Sequence, residues 1–234
     1  MTRAATAIVR RLERTGSAKR AVVNRWFFKT GPGEYGEGDE FVGLTVPQVR
    51  VFATMYRDLP LTDTASLLRS KWHEARLMAL LILVYQYQHG DERTRDKVHA
   101  LYLRSTRYIN NWDLVDLSAW QIVGSHLPRR RRGLLTKLAR SRSLWERRIA
   151  IIATAAYIQE GDFADTLRIA RMLRDDEHDL IHKAVGWMLR EVGKRDQRAE
   201  ERFLRAHAAR MPRTMLRYAI ERFPERLRRR YLNA

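Results

Sequence analysis

Arg148-Ile149-Ala150-Ile151-Ile152-Ala153 is a cation followed by an apolar run, and Ile149, Ile152, Ala153 and Ala156 fall on one face at helical spacing. Four other segments repeat the pattern on either side of it. They are Arg76-Leu77-Met78-Ala79-Leu80-Leu81, Asp113-Leu114-Val115-Asp116-Leu117-Ser118, Lys183-Ala184-Val185-Gly186-Trp187-Met188 and Arg213-Thr214-Met215-Leu216-Arg217-Tyr218. In chain order their first residues lie 37, 35, 35 and 30 apart. Each is expected to open a helix and to follow a shorter amphipathic one.

Helix pairs at this period predict an all-α chain, an α-solenoid of HEAT-like helical repeats. The expectation is a single curved domain, 1–234, whose second helices line a concave, basic groove. Nothing alternates with period two. Pro47, Pro60, Pro128, Pro212 and Pro224 fall between periodic segments and read as helix starts. Five of the twelve glycines lie between Gly31 and Gly43, which predicts one long loop around Gly31–Asp39.

Lys and Arg number 45 against 27 Asp and Glu, a formal charge of +18 that calls for a polyanionic partner. Arginine dominates, as suits bidentate phosphate contacts. The absence of cysteine excludes disulfides and thiolate metal sites and fits a reducing cytoplasm. No apolar h-region stands near Met1–Thr15, and the longest apolar run, Leu77–Tyr85, is too short to span a bilayer. The expected partner is therefore nucleic acid and not a membrane, with a cytoplasmic protein that associates with the nucleoid when on DNA.

Four of the five repeated segments begin with a cation, Arg76, Arg148, Lys183 or Arg213, a spacing that would track a phosphate backbone. The fifth begins with Asp113 and adds Asp116. Helix capping accounts for Asp113, with Asn110 or Asn111 as the cap. It accounts less well for Asp116, which lies deeper and shares a helical face with Trp112. Metal-dependent phosphoryl transfer would need several converging carboxylates, and zinc-dependent deamination a His/Cys cluster; neither pattern is present. Cleavage of an N-glycosidic bond needs one carboxylate beside an oxocarbenium-like sugar. At an effective dielectric of 20, unit charges about 4 Å apart attract by roughly 4 kcal/mol, about a thousandfold in rate. Trp112, Asp116 and Trp187 then make a candidate cleft for a cationic nucleoside, with each indole adding about 0.5–2 kcal/mol of cation–π stabilisation. Core packing is the alternative for Trp187.

Trp112-Asp113-Leu114-Val115-Asp116, Leu144-Trp145-Glu146-Arg147-Arg148-Ile149-Ala150 and Lys183-Ala184-Val185-Gly186-Trp187-Met188-Leu189-Arg190-Glu191 together resemble the DNA alkylation repair glycosylases of the AlkD type, from about Trp26 to the C-terminus. The resemblance implies a monofunctional glycosylase, without cofactor or metal and monomeric. It would excise positively charged N3- and N7-alkylated purines from duplex DNA without flipping the base into a pocket. It implies Asp116 as the catalytic aspartate, Trp112 and Trp187 at the sugar, and Arg148 and Arg190 on the backbone around the lesion. Where the family carries a tyrosine on an N-terminal helix, this chain has Phe27, within Trp26-Phe27-Phe28-Lys29. A different class of function, a non-catalytic solenoid that binds nucleic acid or a protein, has no use for Asp116.

Other signals read more plainly. Lys183 and Arg213 are taken as phosphate contacts, Lys183 rather than as a lyase nucleophile. His178 and His182 have metal-ligand spacing but no third partner, so they read as a polar helix start. Arg129-Arg130-Arg131-Arg132 is expected to contact phosphate or lie solvated, and Arg226-Leu227-Arg228-Arg229-Arg230 to be a last backbone contact.

Overall fold

The computed structural model describes residues 1–127 and 132–233, and among them the chain is helical with no strand. The helices are α1 (Arg3–Thr15), α2 (Ala18–Phe27), α3 (Val46–Met55), α4 (Leu61–Leu68), α5 (His73–His89), α6 (Glu92–Arg104) and α7 (Trp112–Asp116). They continue as α8 (Gly133–Ala139), α9 (Leu144–Ile152), α10 (Ala155–Gln159), α11 (Ala164–Leu173), α12 (Asp179–Arg195), α13 (Gln197–His207), α14 (Arg213–Ala219) and α15 (Glu225–Asn233). A π-helical turn, Trp120–Gly124, stands between α7 and α8. The chain forms two compact units, Met1–Ile122 and Val123–Ala234.

The prolines act where expected. Pro47 sits in the first turn of α3 behind a capping box in which Thr45 and Gln48 satisfy each other's backbone amides. Such a cap is worth about 0.5–2 kcal/mol. Pro60 and Pro212 cap α4 and α14, and Pro224 immediately precedes α15. Pro128 lies outside the described residues.

In the first unit α5 is the shaft. From His73 to Val84 every residue is buried, which is why its sequence shows an apolar run with no polar stripe. α3, α4 and α6 pack around it. The loop between α2 and α3 is tied to its start. Glu74, 2% exposed, accepts from the amides of Val42 (3.0 Å), Gly43 (2.9 Å) and Leu44 (3.1 Å), and from Asn24 Nδ2 (3.4 Å). Gly43 has φ +85°, and a Cβ there would lie 2.1 Å from the Ser17 carbonyl oxygen, so α2 and the loop meet only over a glycine.

In the second unit α12 is the counterpart of α5. It packs most extensively on α14, and also on α9, α11 and α13, with Val185, Met188, Leu189 and Val192 buried as their spacing predicts. The pair lengths depart from expectation: α6, 13 residues, precedes a five-residue α7, and α13, 11 residues, precedes a seven-residue α14. The second helix of a pair is shortened here, while the start positions keep the repeat.

Candidate nucleic-acid interface and its supporting charges

α7 carries two of the expected site residues. Asn111 caps it, its Oδ1 accepting from the Trp112 amide at 2.9 Å. Within the helix Asp113, Leu114 and Val115 are buried, while Trp112 and Asp116 at its two ends remain half-exposed. Asp116 lies close enough to Tyr102 to influence it. The Tyr102 phenol is pushed far above its ordinary range by burial, and the charge on Asp116 pushes it further; its hydroxyl pairs with Ser118 Oγ at 3.0 Å.

Trp112 is the end of an aromatic column. Phe28 stacks on it with centroids 5.3 Å apart and 21° between planes, and Phe27 meets it edge-on at 5.8 Å. Phe28 in turn stacks on Phe41 at 5.1 Å. The structure thus brings Phe27 to Trp112, and adds Phe28, which the sequence reading passed over. Phe27 is 52% exposed, so it presents a face as well as packing.

Asp113 does more than favour a helix start. His73, fully buried at the N-terminus of α5, holds Asp39 Oδ2 on Nδ1 at 2.8 Å and Asp113 Oδ2 on Nε2 at 2.9 Å. Asp39 also pairs with Arg76 and accepts from Asn111 Nδ2 at 3.1 Å. Burial by itself would lower the histidine's pKa, but Asp113 and Asp39 overcome it and hold His73 up at about 9. Burial likewise opposes ionisation of Asp39, and His73 and Arg76 overcome it, keeping that carboxyl below its ordinary range. Two carboxylates, one imidazolium and one guanidinium make a neutral buried set.

That set corrects the expectation for Arg76. It is 4% exposed, paired with Asp39, and donates to the carbonyls of Ser70 and Lys71 at 3.0 Å each, so it holds the core and does not line a groove. The glycine-rich loop folds on its own acids. Glu34 Oε2 accepts from the Gly31 amide at 2.8 Å and Glu37 Oε2 from the Gly33 amide at 3.0 Å, while Asp39 turns inward.

The other expected site residues belong to the second unit. Arg148 on α9 is 5% exposed and donates from Nη1 to the Leu180 carbonyl at 2.5 Å, so its guanidinium holds the start of α12. The expectation that it projects like the other cations is corrected by that burial. Lys183, Trp187 and Arg190 share α12. Lys183 Nζ pairs with Asp179 at 2.8 Å and Arg190 pairs with Glu221. Trp187 is half-exposed, donating from Nε1 to Glu191 Oε1 at 3.0 Å, so it is not wholly a core residue. Arg213 is exposed and donates to the Leu232 carbonyl at 2.6 Å, joining α14 to the basic tail.

The remaining signals resolve locally. His178 caps α12 through Nδ1 on the Leu180 amide, and His182 bonds the Asp176 carbonyl, so both serve a helix start. Arg132 is buried between Asp162 (2.7 Å) and Asp165 (2.8 Å) under the Tyr157 ring, and is not a solvated or phosphate-facing charge. Arg129, Arg130 and Arg131 lie outside the described residues. In the tail, Arg228 and Arg229 pair with Glu225.

Asp39, His73, Glu74, Phe28 and Phe41 were missed in the sequence. One signal pointed to them: His73-Glu74-Ala75-Arg76 places three polar charges at the head of an apolar run too long to be solvated. Buried there, each needs a partner.

Start positions that recur through successive helix pairs define a helical-repeat protein. The family model described as "DNA alkylation repair enzyme" matches residues 8–223, and the chain belongs to that family. A solved structure, "Predicted DNA alkylation repair enzyme from Enterococcus faecalis", shares the fold with a TM-score of 0.69 at 15% identity, over 90% of this chain and 97% of that one. No curated protein matches the chain. Membership of the family gives the chain a part in the repair of alkylated DNA.

Proposed function

We propose that the chain is a monofunctional glycosylase that hydrolyses the N-glycosidic bond of cationic N3- and N7-alkylated purines in duplex DNA, without flipping the base into a pocket. One observation carries the reading: α7 buries its middle and leaves only an indole and a carboxylate, Trp112 and Asp116, partly open to solvent. In a chain of formal charge +18, a carboxylate presented this way opposes phosphate binding and suits a developing cation.

In this mechanism the C1′–N bond breaks and its electron pair leaves with the alkylpurine, whose positive charge is thereby neutralised. The charge passes to the sugar as an oxocarbenium-like centre, which Asp116 stabilises, with the face of Trp112 adding to it. Water then adds at C1′ and gives up a proton. Lys183, Arg190 and Arg213 hold phosphates, the first two by exchanging their present acidic partners.

The test is incubation with duplex DNA carrying N7-methylguanine, with free base as the readout. Asp116→Asn is expected to slow release by about a hundred- to a thousandfold, roughly 3–4 kcal/mol, while binding to lesion-free duplex is kept or slightly tightened. Release at the wild-type rate from Asp116→Asn would remove the carboxylate from the chemistry and favour a non-catalytic DNA-binding solenoid.

A further inference from the structure

The two residues flanking Trp112 on its N-terminal and C-terminal sides are both tied to the glycine-rich loop. Asn111 donates directly to Asp39, and Asp113 reaches Asp39 through the two nitrogens of His73. His73 also lies against the aromatic column that ends on Trp112, 4.8 Å from Phe28 and 4.6 Å from Phe41. Its own helix is buried over its first twelve residues, which makes it a fixed post. One imidazole therefore touches three things that bear on the place of Trp112: Asp113 in the first turn of its helix, the Phe28 ring stacked on it, and Asp39 of the loop.

We propose that Asp39, His73 and Asp113, with Arg76 completing the charge balance, form a clamp that positions Trp112 and, three residues beyond Asp113, the carboxylate of Asp116 for base excision. The proposal rests on the excision reading above, and none of the three clamp residues touches the substrate in it. They are positioning residues.

The chemistry of the clamp makes it directional. A carboxylate on each ring nitrogen needs a proton on each, so only the imidazolium satisfies both sides. A buried ionic set of this kind gains little over well-packed hydrocarbon in stability, but it accepts a single arrangement. The charged groups facing His73 are Asp39 from the loop and Asp113 from α7. On its own helix Arg76 faces it through Asp39, and Glu74 is turned away onto the amides of Val42, Gly43 and Leu44. The paired acids hold His73 protonated until about pH 9. Above that the ring can donate to one carboxylate only, and either α7 or the loop is released.

Three variants test this: Asp113→Asn, His73→Gln and, as reference, Asp116→Asn. Single-turnover release of N7-methylguanine is followed from pH 6 to pH 10, with the lesion's own alkaline loss subtracted, alongside affinity for lesion-free duplex. Wild type is expected to lose rate as pH rises past about 9. Asp113→Asn keeps an acceptor on Nε2 but removes a charge, so its rate is expected within about fivefold of wild type at pH 6 and to fall at a pH at least one unit lower. His73→Gln is expected to release base roughly ten- to a hundredfold more slowly, without the alkaline limb and with duplex affinity within about threefold. A merely structural histidine would not move the alkaline limb with the Asp113 charge. An unchanged profile in Asp113→Asn, or a helical, DNA-binding His73→Gln that works at the wild-type rate, overturns the clamp while Asp116→Asn remains slow. A wild-type rate in Asp116→Asn overturns the excision reading itself.

Discussion

The first unit buries Asp39 and Asp113 around a histidine and an arginine, while the second buries Glu200 with no hydrogen-bond donor on its Oε1. Glu200 is 1% exposed and stands over Gly193, where even a methyl group would come within 1.7 Å of Oε2. Burial pushes its pKa up to about 8, with Glu201 adding to the rise and Arg190 opposing it. Asp39 goes the other way because two cations outweigh its burial. Depth does not decide the charge of a buried acid; the number of donors brought to it does. At neutral pH the first unit holds ionised carboxylates and the second a protonated one.

Replacing one acid by its amide in each place should therefore act with opposite signs. Asp39→Asn leaves the buried Arg76 guanidinium without its paired carboxylate and His73 with Asp113 alone, so thermal or denaturant unfolding should show a loss of about 3–5 kcal/mol. A loss under about 1 kcal/mol would mean that the set is held by packing and not by charge.

The pH dependence of the paired cluster comes next in size. His73 is raised from 6.5 to about 9, so its contribution, about 3 kcal/mol, is fully present below pH 6.5 and lost as pH rises through 9. Asp39 is lowered, so its contribution is present above 3.8 and lost as pH falls through its still lower folded value. Stability of wild type measured against Asp113→Asn should diverge at neutral pH and converge above pH 9. Parallel curves would contradict the raised histidine.

The smallest effect should be a gain. Glu200 is raised from 4.5 to about 8, so relative to a side chain that does not titrate it loses stability as pH rises from 4.5 to 8. Glu200→Gln should be neutral near pH 4 and more stable than wild type by about 1–3 kcal/mol at pH 8. A destabilised Glu200→Gln at pH 8 would show that the carboxyl has partners that hold it ionised.

The all-helical repeat was legible because starts, prolines and apolar faces are local signals. Pro47 with its Thr45/Gln48 box, and the Val185–Val192 face, read the same way in sequence and in structure. Trp112 and Asp116 were legible as a pair because four residues on a helix share a face. The roles of the cations were not. Arg76 and Arg148 open their segments just as Lys183 and Arg213 do, yet the first two are buried on carboxylate or carbonyl oxygens. Repeat position gives the register of a side chain, but its burial depends on partners far along the chain. Asp39, His73 and Asp113 lie 34 and 40 residues apart, and spacing within a repeat carries no trace of that contact.

Trp26 gives the molecule an optical handle. Of the six tryptophans it is the most exposed, at 74%, on a helix whose buried contribution is Ala21 alone, and Lys29 Nζ lies 5.3 Å from its ring centroid. Iodide, drawn by the positive surface, should quench this indole before the other five and leave a blue-shifted remainder. Loss of that quenching on adding duplex would report directly whether the face of α2 is covered when DNA arrives, without any label.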